Sequence, residues 1–199
     1  MSLVNVFTEL VVTGFHAVFW IGLIVLAFTG YQGLNLEKLA TLNLALPIFV
    51  LTYILGVIVD KLADLVFIRL DKQIREKYKP NNFPRLLEIR FYILSKSKDV
   101  YEQLEYARSR MRIARAATVN FAFTTIAALV FIWSQLSATL PPEYRLWVYL
   151  ATLTTGTGLS LASYRAWLDL NKTYISSAVT AYNVLRAEHS DDSSEDDLE

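Results

Sequence analysis

The chain has 199 residues, 54% of them hydrophobic, and a mean hydropathy of +0.34, with 19 Lys plus Arg against 19 Asp plus Glu. Apolar content that high, gathered in blocks rather than spread at helical or strand period, excludes an ordinary soluble domain. The absence of Cys excludes disulfides, thiolate metal sites and cysteine nucleophiles, and fits any compartment.

The first apolar run is Leu10–Gly30. No Lys or Arg precedes Lys38, so the run lacks the basic n-region of a secretory signal, and it is too long for an h-region. It reads as a retained membrane span. After a 29–41 connection whose single base is Lys38 comes the second run, Leu42–Val59. Each run has about the 17–25 residues that a helix needs to cross a hydrocarbon core. Residues 1–59 are therefore expected to hold transmembrane helices 1 and 2.

Residues 60–115 form a basic helical segment that carries 14 of the 19 Lys and Arg. Asp60, Asp64 and Asp71 alternate with Leu62, Leu65, Ile68 and Leu70, and no breaker appears before Pro80. Lys79-Pro80-Asn81-Asn82-Phe83-Pro84 is a turn signal, followed by a short helix over Arg85–Ser95. From about Asp99 a helix is predicted to run through Glu105 and Arg112 into the third apolar run. That makes roughly 40 residues, or about 60 Å.

Residues 116–164 hold the third and fourth runs, Ala116–Leu136 and Leu146–Tyr164, joined by a connection whose one base is Arg145. The fourth helix is expected to continue over 165–188. There Leu168, Asn171, Ile175, Ala178, Tyr182 and Leu185 follow alternating steps of three and four, the a/d spacing of a coiled coil. The seam has two readings: packing on the chain's own helices, or a contact with another copy or a soluble partner. Residues 189–199 are a like-charge acidic tail expected to be disordered, and the closing Leu198-Glu199 pair, which a cloning scar would also leave, is set aside.

Charge sets the expected orientation. The two short connections carry one base each, whereas 60–115 carries fourteen and Arg165, Lys172 and Arg186 follow the fourth run. Positively charged loops stay on the cytoplasmic side. The expected architecture is all-α: four transmembrane helices in the inner or plasma membrane, both termini and the helical extensions in the cytoplasm. Trp133 and Trp147 flank the outer turn, and Tyr164 and Trp167 stand at the inner end of the fourth run, as interfacial aromatics do.

Three sets of residues are candidates for function. At the inner end of the second run stand Asp60, Lys61 and Asp64, and the third helix brings Arg108, Arg112 and Arg115 to the same level. Charges near membrane depth are costly, so they pair or line water. The readings are an interhelical salt-bridge cluster, a cation site or acidic vestibule, and arginines holding anionic lipid head groups. In the fourth run Thr152, Gly156 and Ser160 repeat every four residues, as do Thr154, Gly158 and Ala162, with Thr155 and Ser163 between. Such rows pack helices closely, and their hydroxyls also suit a water path. Asn120 and His16, with Glu9 two turns below His16, are the remaining polar groups at span depth. An intramembrane His serves as a relay, a gate or a hydrogen-bonded packing residue.

Phosphate-binding glycine loops, the HExxH zinc motif, the nucleophile elbow and metal-spaced His/carboxylate sets are all missing from the sequence. No enzyme activity, cofactor or metal is expected. The basic stretch 106–115 abuts the membrane and is balanced by Asp99, Glu102 and Glu105, so it points to the leaflet surface rather than to nucleic acid. The two halves differ in loop length and charge and show no inverted repeat. Four spans make a poor path alone, so the expected function is a homo-oligomeric pore or ion channel. The alternative is a membrane-anchored sensor or scaffold whose cytoplasmic helices recruit a soluble partner.

Overall fold

The structure is a computed structural model that describes residues 3–31, 45–78 and 84–195, with side chains over 7–31, 46–78 and 84–187. Lys38, the start of the second run at Leu42, the 79–83 part of the expected turn, His189 and the Leu198-Glu199 pair lie outside the described residues or side chains. Among the described residues every element is helical: α1 (Leu3–Thr29), α2 (Ala45–Tyr78), α3 (Leu86–Lys96), α4 (Lys98–Phe131), a π-helical turn (Ile132–Leu136) and α5 (Pro142–Glu195).

Local chemistry sets the ends. Gly30, at φ 79°, closes α1 in the left-handed conformation that glycine adopts without steric cost, its N–H donating to the Leu26 carbonyl at 3.0 Å. Pro47 falls in the first turn of α2, where a missing N–H costs nothing. Ser97 ends α3 and caps α4, its hydroxyl accepting from the Val100 N–H at 3.4 Å. Pro142 opens α5, which then runs unbroken to Glu195, into the acidic segment that composition alone would leave unstructured. Extending an existing helix costs far less than starting one.

Three helical segments are long and apolar enough to cross a membrane: Phe7–Thr29, Leu46–Tyr78 and Lys98–Leu136. The first half of α5 is not among them, because its Thr, Ser and Gly residues dilute the leucines. On α2 a face of exposed large apolar side chains runs from Leu46 to Ile68. That is about 33 Å of helix, close to a hydrocarbon core thickness.

Pairwise contacts fix the helix directions. Thr13 and Trp20 meet Asn120 and Ala27 meets Gln135, so α1 and α4 run in the same sense. Ser160 meets Thr118 and Gly156 meets Thr125, so α5 returns antiparallel on α4. Against α5, α2 runs in the same sense, with Phe67 beside Trp167 and Asp71 beside Asn171. Against α1 its numbers also rise together: Phe7 with Phe49 and Tyr53, Gly14 with Gly56, Ala17 with Val59. Hence α2 lies obliquely across the others instead of forming an antiparallel hairpin with α1. Backbones touch at that crossing: a Cβ on Gly14 would overlap the Thr52 carbonyl, and one on Gly56 the Leu10 carbonyl.

The two ends of the bundle have different cores. At the polar end Ile89, Ile93, Leu104, Tyr174, Ile175 and Ala178 form one cluster. Phe67, Met111 and Trp167 with Ala63 and Val119 form the next, and Ile74 touches both. At the apolar end the buried cluster is Ala17, Val59 and Ala116.

Candidate functional site

Charge at the junction of α1, α2 and α4 comes first, because two helical spacings create it. Asp60 and Asp64 share a face of α2, and Arg112 and Arg115 share a face of α4. The Arg112 guanidinium donates to Asp60 at 3.1 Å, and Arg115 donates to the other Asp60 oxygen at 3.3 Å and pairs with Asp64. Glu9 of α1 completes the cluster, 3.5 Å from Arg112. Asp60 and Glu9 are buried, whereas Lys61 is exposed and reaches Asp64 only at 3.9 Å. Arg108 does not join. It lies one turn before Arg112 on α4 and pairs with Glu105 at 3.8 Å, its own i−3 neighbour. Asp60 is thus held by two arginines inside the subunit and does not face an open vestibule.

Asn120 is a clamp. It is 1% exposed, accepts from the Trp20 indole N–H at 3.1 Å and donates to the Thr13 carbonyl at 3.0 Å. Both bonds tie α4 to α1, and a buried amide so satisfied needs no water.

The hydroxyl-rich half of α5 divides by face. Gly156 lies against α4, where a Cβ would overlap the Thr125 side chain, and the Ser160 hydroxyl donates to the Thr118 carbonyl at 3.0 Å. Thr152 on the same side donates to Val148 at 2.8 Å. Away from α4, Thr154, Thr157 and Gly158 are exposed, with open space at Gly158. The Thr154 and Thr157 hydroxyls donate to Leu150 and Leu153 carbonyls at 2.8 and 2.6 Å. Ala162 is also exposed, and Ser163 is half-buried.

Because α1 and α5 both pack on α4, a cleft of about 480 Å³ remains between them. It brings His16 together with Thr152, Thr155 and Gly156, four residues that the sequence singles out separately. Phe19 and Phe121 add ring walls, and the His16 imidazole stands edge-on to Phe121 with centroids 4.6 Å apart. The Thr124 hydroxyl on the same wall is buried without a hydrogen-bond partner.

The α5 seam is filled from within. Ile175 and Ala178 are fully buried against the chain's own α3 and α4, and Asn171 donates to Asp71 of α2 at 2.8 Å. Tyr182 stacks edge-on to Tyr92 at 5.0 Å, Leu185 packs on the same core, and Leu168 on the adjacent one. These residues are not a free surface for another copy.

Sequence reasoning missed several contacts. Glu9 carries a signal of its own, as an acid in an apolar run, but nothing local shows which arginine it meets. Gly14 and Gly56 are lone glycines whose partnership only the oblique crossing reveals. The third omission is a polar network at the far end of the bundle, where Arg90 pairs with buried Glu105 and reaches the Tyr101 hydroxyl at 3.4 Å. Burial works against the Arg90 charge, but Tyr174, Glu105 and Tyr101 outweigh it and hold its pKa above the ordinary guanidinium value. Burial also raises the Tyr174 phenol, an effect that nearby Arg90 and Arg108 only partly offset.

Among the described residues no group of His, Asp and Glu is placed to hold a metal ion. No protein family, curated protein or solved structure matches the chain.

Proposed function

We propose that the chain is a four-span membrane protein of the cytoplasmic membrane, with both termini and the polar end of the bundle in the cytoplasm, working as a homo-oligomeric pore or ion channel. The fourth span would be the first half of α5. Its antiparallel packing on α4, from Thr118 to Thr125, supports the same depth for both. The shared sense of α1 and α4 suits a cytoplasmic N-terminus and requires α2 to carry the chain back across the bilayer, against the rising register it has beside α1 from Phe49 to Val59. The basic residues along 60–115 suit anionic lipid at the inner leaflet.

One observation carries the oligomer. On α1 and α2 the outward faces bear Phe15, Phe28, Leu46 and Ile54, whereas α5 interleaves Thr154, Thr157 and Gly158 with exposed Leu150, Leu153 and Leu161. Large apolar chains suit lipid, and small residues suit a close helix neighbour or a water path. In this reading α5 alone lines the path, since Asp60 and Asp64 are tied to Arg112 and Arg115. Subunit counting in nanodiscs with flux measurement tests it. The expected result is a ring of four or more copies whose conductance changes on Thr154→Leu with assembly intact. A monomer or dimer, or a ring without flux, would sink it.

A scaffold reading has its own observation. Leu87, Phe91 and Leu94 lie along one face of α3, and Phe91 is 63% exposed at the polar end. An apolar stripe in water marks a docking surface. Loss of a co-purifying soluble protein on Phe91→Ser, with the oligomer intact, would favour recruitment over conduction.

A further inference from the structure

We propose that the cleft between α1 and α5 binds a membrane-dissolved quinone-type ring, a flat apolar ring carrying carbonyl acceptors. The cleft lies beside Thr124–Ala128, the middle of the apolar part of α4, and is open on one side. Lipid tails there supply no hydrogen-bond partners, so polar atoms facing them carry a penalty.

A census of the lining groups sorts them by what they still need. Thr125 donates to the Phe121 carbonyl at 2.7 Å and Thr152 to Val148, so both hydroxyls are occupied within their own helices. The Thr124 hydroxyl is buried with no partner, and the described contact of His16 is the Phe121 ring. The Thr124 and Thr155 hydroxyls and the His16 imidazole N–H thus remain as donors, on α4, α5 and α1 in turn. Each of these groups has a proton to donate, and a ligand that brings acceptors takes them up. Phe19 and Phe121 supply faces and edges against which a flat ring packs. Gly156, Ala128 and Ala151 keep the floor low, and a volume near 480 Å³ is within the range of small-molecule sites. A phospholipid acyl chain would fill the same space and leave these donors unanswered. The open side lets the tail of a quinone pass into the bilayer.

The site rests on the first half of α5 lying at bilayer depth, but not on any pore. Full-length protein in phosphatidylcholine nanodiscs would be titrated with decylubiquinone, with binding read by native mass spectrometry. One saturable site per chain is expected. Thr124→Val keeps the shape and removes an unpartnered hydroxyl, so it should leave ligand-free stability unchanged or higher. It should weaken binding about fivefold, the effect of one net hydrogen bond. His16→Phe should weaken binding by a similar factor, and Ala151→Leu should abolish it by filling the floor. Absence of saturable binding, or affinity indifferent to both Thr124→Val and His16→Phe, would overturn the proposal. Labelling of Thr155→Cys in this Cys-free chain by a water-soluble thiol reagent, rather than a lipid-soluble one, would overturn the placement of α5 separately. Binding to a monomer would remove the pore and leave this site standing.

Discussion

The apolar and polar ends of this bundle are held together by different chemistry. At the polar end large side chains do the packing: Ile89, Ile93, Ile175, Phe67 and Trp167 are buried where helices from four elements converge. At the apolar end four alanines, Ala17, Ala27, Ala116 and Ala127, are buried beside Leu10, Val59 and Ile132, with Gly14 and Gly56 at the crossing. Water rewards removal of apolar surface, so large residues go inside. Lipid gives no such reward, and large apolar residues face outward while helices meet where their backbones approach closely. One continuous helix, α4, shows the shift along its length, burying Leu104 and Met111 below and Ala116, Val119 and Ala127 above.

The contrast breaks most sharply at Gly56. Gly56→Leu drives a side chain into the Leu10 backbone, which cannot move aside, and should cost about 3 kcal/mol or more in detergent unfolding. Gly158→Leu, on the open face of α5, should leave subunit stability within about 0.5 kcal/mol of the parent. Equal losses at the two glycines would mean that small residues at the apolar end reflect composition and not contact.

Between the ends stands the Glu9, Asp60, Asp64, Arg112 and Arg115 cluster. Removing one partner leaves the other charge buried, so Asp60→Ala should cost about 2 kcal/mol, discounted from the fully buried case because Asp64 and Glu9 remain. Once Asp60 is gone, Arg115→Ala should add less than its single-variant loss, with a coupling of about 1 kcal/mol. Strict additivity would show that the 3.3 Å contact carries no energy. Arg108→Ala should not couple to Asp60 at all, since its carboxylate is Glu105.

How much of this was legible follows from which interactions are local. The long continuous helices of α2, α4 and α5 followed from hydrophobic period and the lack of breakers, and Asp60 and Arg112 could be named because each spacing puts charges on one helix face. The tilt of α2 was not legible, because helix crossing depends on which side chains meet, and so Gly14 and Gly56 passed as ordinary glycines. Arg108 was misplaced for a related reason. A shared helix face does not decide which of several acids an arginine reaches, and Glu105 on its own helix is nearer. The α5 seam had the spacing of an oligomer contact, but spacing cannot distinguish a foreign helix from α3 folding back. The cleft joins residues over a hundred positions apart, and only the gap between α1 and α5 reveals it.

The smallest expected effect tests the polar end through its titration. Tyr174 is buried, and burial raises its pKa above the ordinary value of 10.0, with the charges of Arg90, Arg108 and Arg75 lowering it and Glu105 raising it. The folded state therefore keeps its phenolic proton to higher pH than the unfolded chain does. The resulting stability is fully present below about pH 10 and is lost as pH rises through the folded-state pKa. Tyr174→Phe keeps the ring and removes the proton, so its melting temperature should fall less steeply than the parent's above that pH. At neutral pH the variant should differ by about 1 kcal/mol or less, the range of one lost polar contact. Parallel alkaline curves for the two proteins would show that Arg90 and Arg108 already cancel the burial, leaving the packing around Ile175 as the main support of that end.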